Sequence, residues 1–439
     1  MPVSRSDCPP PGRAEQITTR IAYLVLGVGV SSWAALVPYA KARLGLDEAV
    51  LGMLLLCVGV GSLLSMPFTG LISGRFGCRK VILVSGFIFL AMLPLLASVE
   101  SVWLMALCLF LFGASIGMMD VSLTIQAVFV EQAAGRAMMS GFHCLYSVGG
   151  ICGAGGMALL LGFLAPHLAM LVICLFMIAL LAAFGRHFLP YGSEGETPLF
   201  VVPRGIVLLI GVLCFIMYLS EGTILDWGAL FMTAERGTEA SRAGLAFACF
   251  SVAMAIGRLF GDRIVQALGD ARVLLYGSLC AAAGFGLVVA APWAWASLAG
   301  FTVVGLGVSN IVPVLFSATA RQKFMPLSLA VSAVTTIGYL GVLAGPALMG
   351  FVAHATSLVI VFCITLALMC FVAVVSRAVP CDLRGGSPSF PNQRKMFVVS
   401  DSNILSLCNC TCWLPGCKPA VGSDWKGDQA NRSCRKGSR

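Results

Sequence analysis

The chain has 439 residues, 59% of them hydrophobic and 11% charged, with a formal net charge of +9. Soluble domains run at about 45–50% apolar and about 25% charged, so no water-solvated core can hide this much apolar surface, and most of the chain has lipid for its solvent. Ten of the 28 Lys and Arg residues fall from Arg377 onward; the basic excess belongs largely to the tail and, with no recognition motif beside it, does not point to nucleic acid.

The N-terminal stretch MPVSRSDCPPPGRAEQ is polar and proline-rich. It carries no cleavable signal, and the apolar run that starts at Ile17 is long enough to span rather than to be removed. A span needs ~20 mostly apolar residues. Breaks at charge, Gly and Pro then predict about twelve helices, at 18–40, 49–72, 80–98, 102–127, 137–162, 166–188, 205–232, 243–268, 271–290, 293–319, 326–351 and 355–376. Charge in the connections sets the orientation. With the N-terminus inside, the inner segments hold Arg5, Arg13, Arg20, Arg75, Arg79, Lys80, Arg136, Arg186, Arg204, Arg263, Arg272, Arg321 and Lys323, and the outer ones only Lys41, Arg43, Arg236 and Arg242. Both termini are therefore expected in the cytoplasm.

The longest polar gap between spans, YGSEGETPLFVVPR (191–204), follows the sixth helix. It divides the chain into a cytoplasmic segment 1–16, a six-helix half 17–190, a linker 191–203, a second half 204–378 and a tail 379–439. Parts of the halves repeat: GLISGRFGCRK (70–80) has its counterpart in GRLFGDRIVQALGDAR (257–272), and GMMDV (117–121) in GVSNI (307–311). Of 18 cysteines, 12 precede Cys381 and lie mostly singly in apolar runs, where Cys behaves as a small hydrophobe.

The Gly- and Arg-rich hairpin 70–80 resembles the loop signature of the major facilitator superfamily, and six-plus-six parallel repeats are the organisation of those transporters. Within that family, SWAALVPYAKARLGLDEAVLGMLLL (32–56), DVSLTIQAVFVE (120–131), GFHCLYSVGG (141–150) and EGTILDWGALF (221–231) resemble the YbjJ-like bacterial inner-membrane subfamily, related to sugar–proton symporters. The resemblance implies an all-α membrane fold of two pseudo-symmetric six-helix halves with helices one, four, seven and ten lining a central cavity. It also implies a gate motif at Gly70, Arg75, Gly77 and Arg79, repeated at Arg258, Asp262 and Arg263. Two departures stand out: Gly74 occupies the place of the loop's usual acid, and Thr124 stands where Asn is expected.

An ionisable side chain near a bilayer centre costs at least ~2.5 kcal/mol, so the deep ones are expected to face that cavity. Asp120 and His143 fall some 9–12 Å in from the same predicted face on neighbouring helices; they either share a proton or brace the helices through a fixed hydrogen bond. Glu221 falls just past the midplane, beside Gly222, a candidate helix break. It is read as a protonation site or an acceptor for substrate hydroxyls, against a packing bond to Tyr218. Asp226 points ~140° away around the same helix, and with Trp227 it is read as an outer-interface feature. Arg258 precedes Asp262 by four residues on one helix face, which reads as a gate pair more readily than as a substrate contact. Trp33, Tyr146, Asn310, Thr336 and Tyr339 supply neutral groups to the cavity, while Gln126 falls close to the cytoplasmic end.

This set suits a neutral polyhydroxy solute moved with protons, and no GxxxxGK[ST] motif supplies nucleotide energy. A drug or cation exporter by proton antiport is the second reading, and a transporter-like sensor signalling through its tail the third. The tail cysteines Cys408, Cys410, Cys412 and Cys417 match no well-defined zinc spacing. No nucleophile–base–acid set and no metal or cofactor site is expected, so an enzyme is not indicated. The expected partners are a small-molecule substrate, protons and the lipid bilayer, with the chain a monomer.

Overall fold

The computed structural model describes residues 8–193 and 202–379. Expectations for 1–7, for most of the 191–203 linker and for the tail cysteines lie outside the described residues. Within them the chain forms α1 (Arg13–Leu44), α2 (Glu48–Phe76), α3 (Cys78–Ser98), α4 (Val102–Ala134), α5 (Met139–Leu161), α6 (Pro166–Phe184), α7 (Ile206–Arg236), the single turn α8 (Ala240–Ala243), α9 (Leu245–Leu268), α10 (Asp270–Ala290), α11 (Ala294–Val308), α12 (Ile311–Thr319), α13 (Leu327–Ala355) and α14 (Leu358–Val375). Twelve helical stretches among the described residues are long and apolar enough to cross a membrane. With no water to satisfy backbone groups in the bilayer, helices that bond internally are the natural solution for such a sequence.

The two repeats fold alike at matched positions. Gly77 joins α2 to α3 at φ 85°, ψ 152°, and Gly269 joins α9 to α10 at φ 79°, ψ 157°. A second match explains why two arginines lie on the side where the charge bias is against them. Arg43, at the end of α1, donates to the carbonyls of Leu96, Ala97 and Val99 at the end of α3. Arg236, at the end of α7, donates to Val288 and Val289 at the end of α10 and to the Ser297 hydroxyl. The last carbonyls of a helix have no intrahelical donor and carry the negative end of its dipole, so a guanidinium fork satisfies both needs. Arg43→Ala is expected to lower stability by about 2 kcal/mol, read as a lower Tm in detergent, with Arg236→Ala behaving alike.

Small residues set the closest helix crossings. A Cβ on Gly113 of α4 would lie 2.0 Å from the Val58 carbonyl of α2, and one on Gly153 of α5 would lie 2.3 Å from that of Val28 in α1. In a bilayer such close packing replaces the water-driven force between helices.

Three boundaries differ from expectation, each for a local reason. α4 continues past residue 127 to Ala134, because its polar residues there are partnered. The Gln126 amide donates to Thr19 at 2.9 Å and accepts from the Leu189 N–H at 3.0 Å. α7 runs unbroken through Gly222. The break comes instead in the tenth span, at Ser309–Asn310 between α11 and α12. Pro313 has no N–H to give the Ser309 carbonyl four residues earlier, and its ring crowds that carbonyl.

Candidate functional site

The first six spans and the last six meet through hydrogen bonds gathered toward the end that the charge bias makes cytoplasmic. Glu131, three residues before the end of α4, accepts from the Ser317 hydroxyl of α12 at 2.5 Å and from the N–H groups of Met138 and Met139 at 2.7 and 2.8 Å. Asp262 of α9 accepts from the Gly141 N–H of α5 at 3.1 Å, and Gln266 donates to the Ala137 carbonyl at 3.3 Å. Ser332 of α13 donates to the Met66 carbonyl of α2 at 2.5 Å. Both carboxylates thus sit at the N-terminus of α5, where unpaired N–H groups and the helix dipole favour negative charge.

Above this closure lies a polar cluster drawn from five helices. Asp120 (α4) and Glu221 (α7) are both half-buried. Tyr146 of α5 is within electrostatic reach of Asp120, Glu221, Tyr339 and Arg258, and Tyr218 of α7 reaches Asp120, Glu221 and Arg258. Tyr339 of α13 lies against Ser62 and within reach of Asp120. Neither carboxylate makes a hydrogen bond among the described residues, and neither belongs to the fully enclosed polar atoms that lack a partner. Their oxygens therefore border open space, and the tyrosines around them place that space inside the bundle. A Cβ on Gly222, on the same helix face as Tyr218, would meet nothing within 4 Å. Gly222→Phe is expected to leave the fold intact by thermal melting while removing solute flux, because the ring enters the space beside the acids.

An apolar groove on α9 and α11, lined by Ala248, Cys249, Val252, Ala253, Ile256 and Thr302, holds none of these groups. It offers a polar cargo nothing to bind.

The expected site residues separate into groups. Tyr146 and Tyr339 stand with the acids, and the half-buried Thr336 lies one turn from Tyr339, its hydroxyl donating to the Ser332 carbonyl at 2.7 Å. Trp33 is 6% exposed and packs in the apolar core. Asn310 is committed to the helix break: its amide donates to the Gly257 carbonyl at 3.1 Å and to Ser309 at 3.0 Å.

Asp120 and His143 lie at different distances from the ends of their own helices. With α4 extended, Asp120 lies about 21 Å from its end, whereas His143 lies about 6 Å from the start of α5. No hydrogen bond joins them, so neither a direct proton exchange nor a fixed brace is present in this state. The His143 ring instead stacks on Phe316 of α12 at 6.0 Å and touches Tyr23 at 5.4 Å, its Nε2 enclosed without a partner. Tyr23 shares a 3.2 Å hydrogen bond with Thr124, the residue that departs from the family pattern, and lies within reach of Asp120.

On α7, Asp226 is exposed while Glu221 faces inward, the divergence its spacing predicts. Trp227 is not a free interfacial anchor. Its indole packs so close to α13 that a Cβ on Gly350 would lie 3.1 Å from Cζ2, and Nε1 is enclosed.

The loop residues hold structure. A Cβ on Gly70 would lie 2.5 Å from the Ser328 carbonyl of α13. Arg79 donates through Nε to the Phe188 carbonyl at 2.8 Å, whereas Arg75 and Arg263 are exposed. The expected Arg258–Asp262 pair is absent. Arg258 donates to the Ser147 hydroxyl of α5 at 3.1 Å and to the Ser309 carbonyl at 3.4 Å.

Sequence reasoning passed over Tyr218 and Glu131 as functional groups. Tyr218 was legible, since it shares a helix face with Glu221 at i,i+3. Glu131 was not, because its partners come from α5 and from the distant α12.

The same fold appears in solved structures. The E. coli fucose:proton symporter FucP superposes with TM-score 0.72 at 14% identity, covering 83% of this chain and 98% of that one. The human organic anion transporter MFSD10 superposes at 0.67 and 17%, covering 84% and 100%. In sequence, an uncharacterised MFS-type transporter of Yersinia pestis is 50% identical over 371 residues, 84% of this chain and 97% of that protein. The uncharacterised transporter y4wD of Sinorhizobium fredii is 32% identical over 359 residues, 81% and 95% of the two chains. The Major Facilitator Superfamily model matches residues 21–226 and again 210–407. With twelve apolar helices, that fold and these matches in agreement, the chain belongs to the major facilitator superfamily of membrane transporters.

Proposed function

We propose that this transporter moves a small neutral polyhydroxy solute together with protons, by alternating access of two six-helix halves about the polar cluster. The observation that carries the reading is the pair Asp120 and Glu221. These are two carboxylates on opposite halves, without hydrogen-bond partners and each bordering open space, with Tyr146 and Tyr218 in reach of both and Tyr339 in reach of Asp120. Carboxylates so placed can take up and release protons, and together with phenol hydroxyls they match the donors and acceptors of a polyol. Arg258 is occupied by Ser147 and Ser309, which leaves the cluster acidic and disfavours an organic anion. The fucose:proton symporter among the structural neighbours is consistent with this chemistry. The protein works as a monomer in a bacterial inner membrane, with both termini in the cytoplasm.

The test is uptake of a panel of radiolabelled sugars, polyols and organic cations into proteoliposomes under an imposed pH gradient. The proposal expects a sugar or polyol to accumulate on the side toward which protons flow. A cation moving against the protons, with no sugar or polyol transported, would replace it with the antiport reading.

A further inference from the structure

Within the polar cluster, the Tyr218 ring rests on bare backbone. A Cβ on Gly338 of α13 would lie 2.9 Å from both Cδ2 and Cε2 of Tyr218 and 3.1 Å from Cβ of Cys214. The ring edge therefore fills the place of the side chain that Gly338 lacks. The spacing of the two helices is fixed beside it, because they meet main chain to main chain: a Cβ on Gly341 would lie 2.3 Å from the Phe215 carbonyl of α7. The Tyr218 hydroxyl makes no hydrogen bond among the described residues, and it is not one of the fully enclosed polar atoms that lack a partner, so it borders open space. Asp120 and Glu221 are both within its reach. Long side chains lean toward the N-terminus of their helix, and Tyr218 precedes Glu221 and Gly222 on α7. The ring thus bounds, from the N-terminal side of α7, the space that a Cβ on Gly222 would enter without meeting an atom within 4 Å.

We propose that Gly338 sets the largest solute the site accepts, by letting the Tyr218 ring lie back against α13. Any side chain at 338 displaces that ring. Moving its edge from 2.9 Å to an ordinary carbon–carbon contact of ~3.5–4.0 Å takes about 0.6–1.1 Å. The helix backbones are already in contact, so the ring gives way, and the room it has lies beside the acids. A close-packed site feels a change of one methylene, so a shift of this size shortens the accepted solute by about one carbon with its hydroxyl. Gly338 acts through Tyr218 and is a positioning residue; Tyr218 is the group that meets the solute. The inference rests on the reading of the cluster as a site for a neutral polyhydroxy solute.

Thermal-shift titration of the purified full chain in detergent with linear alditols of three to seven carbons tests it. The parent chain should bind the series up to a limiting length. Gly338→Ala should weaken the longest alditol bound about tenfold, and one a carbon shorter by less than about twofold. Tyr218→Ala should admit an alditol one carbon beyond the parent limit. Adding Gly338→Ala to it should then change no affinity by more than about twofold, because two substitutions that act through one contact are not additive. Tyr218→Phe keeps the ring and loses the hydroxyl, so it should weaken all bound alditols alike, about tenfold, with the limit unmoved. Should Gly338→Ala not fold alone, folding together with Tyr218→Ala supports the contact, and failure there as well overturns it. Equal weakening of long and short alditols by Gly338→Ala overturns the role of Gly338 and leaves the site a polyol site. No stabilisation of the parent chain by any alditol overturns both.

Discussion

Glu221→Gln is expected to cut proton-driven accumulation by about a hundredfold, the lower range for loss of a proton-transfer group, while exchange of labelled for unlabelled solute continues. The amide is close in shape, so the space beside Gly222 and the contacts of Tyr218 and Tyr146 persist, but it takes up no proton at ordinary pH. Coupling then disappears while binding and rocking remain. Proteoliposomes carrying the solute identified by the uptake panel separate the two, with accumulation read under an imposed pH gradient and exchange read without one. Accumulation equal to that of the parent chain would remove Glu221 from the mechanism and turn attention to Asp120. Asp226→Asn, one and a half turns along the same helix but exposed, should leave accumulation unchanged.

Gly77→Ala is expected to abolish assembly of folded protein, the largest structural effect in the molecule. At φ 85°, ψ 152° the backbone lies where only glycine is comfortable, at a cost of about 1–3 kcal/mol for any side chain. The added Cβ would also lie 1.9 Å from the Pro190 carbonyl. That clash is with backbone, and the backbone is fixed: the first amides of α3, Cys78 and Arg79, donate to the Tyr191 and Leu189 carbonyls at 3.2 and 2.7 Å. Gly269→Ala supplies the control. Its backbone conformation is nearly the same, but the new Cβ meets nothing within 4 Å. It should cost the conformational strain alone and still yield a folded, somewhat less stable protein. Size-exclusion profiles and melting temperatures in detergent compare the two; equal behaviour would mean that the contact with 188–191 does not hold the turn.

The loop motif of 70–80 was therefore legible as a motif, but its physical content was not. Sequence identifies a glycine; that its hydrogen atom faces a carbonyl more than a hundred residues away follows only from packing. The same holds for Arg43 and Arg236, which sequence could treat only as exceptions to the charge bias and which packing reveals as caps on neighbouring helices.

Sequence by itself determined the medium, the number of spans and the repeat, because these follow from apolar content, span length and local punctuation. Tertiary structure decided the rest. Partners from α1 and from the segment after α6 allow α4 to carry Gln126 inside and to run on to Ala134. Pro313 and its freed carbonyl place the break in the tenth span rather than at Gly222. Contacts between distant helices bring Tyr218 and Tyr146 to the two acids and direct Arg258 to Ser147 instead of Asp262. Each of these depends on which helices are neighbours, and a chain of uniformly apolar helices carries little information about neighbours until small residues and buried polar atoms have found their partners.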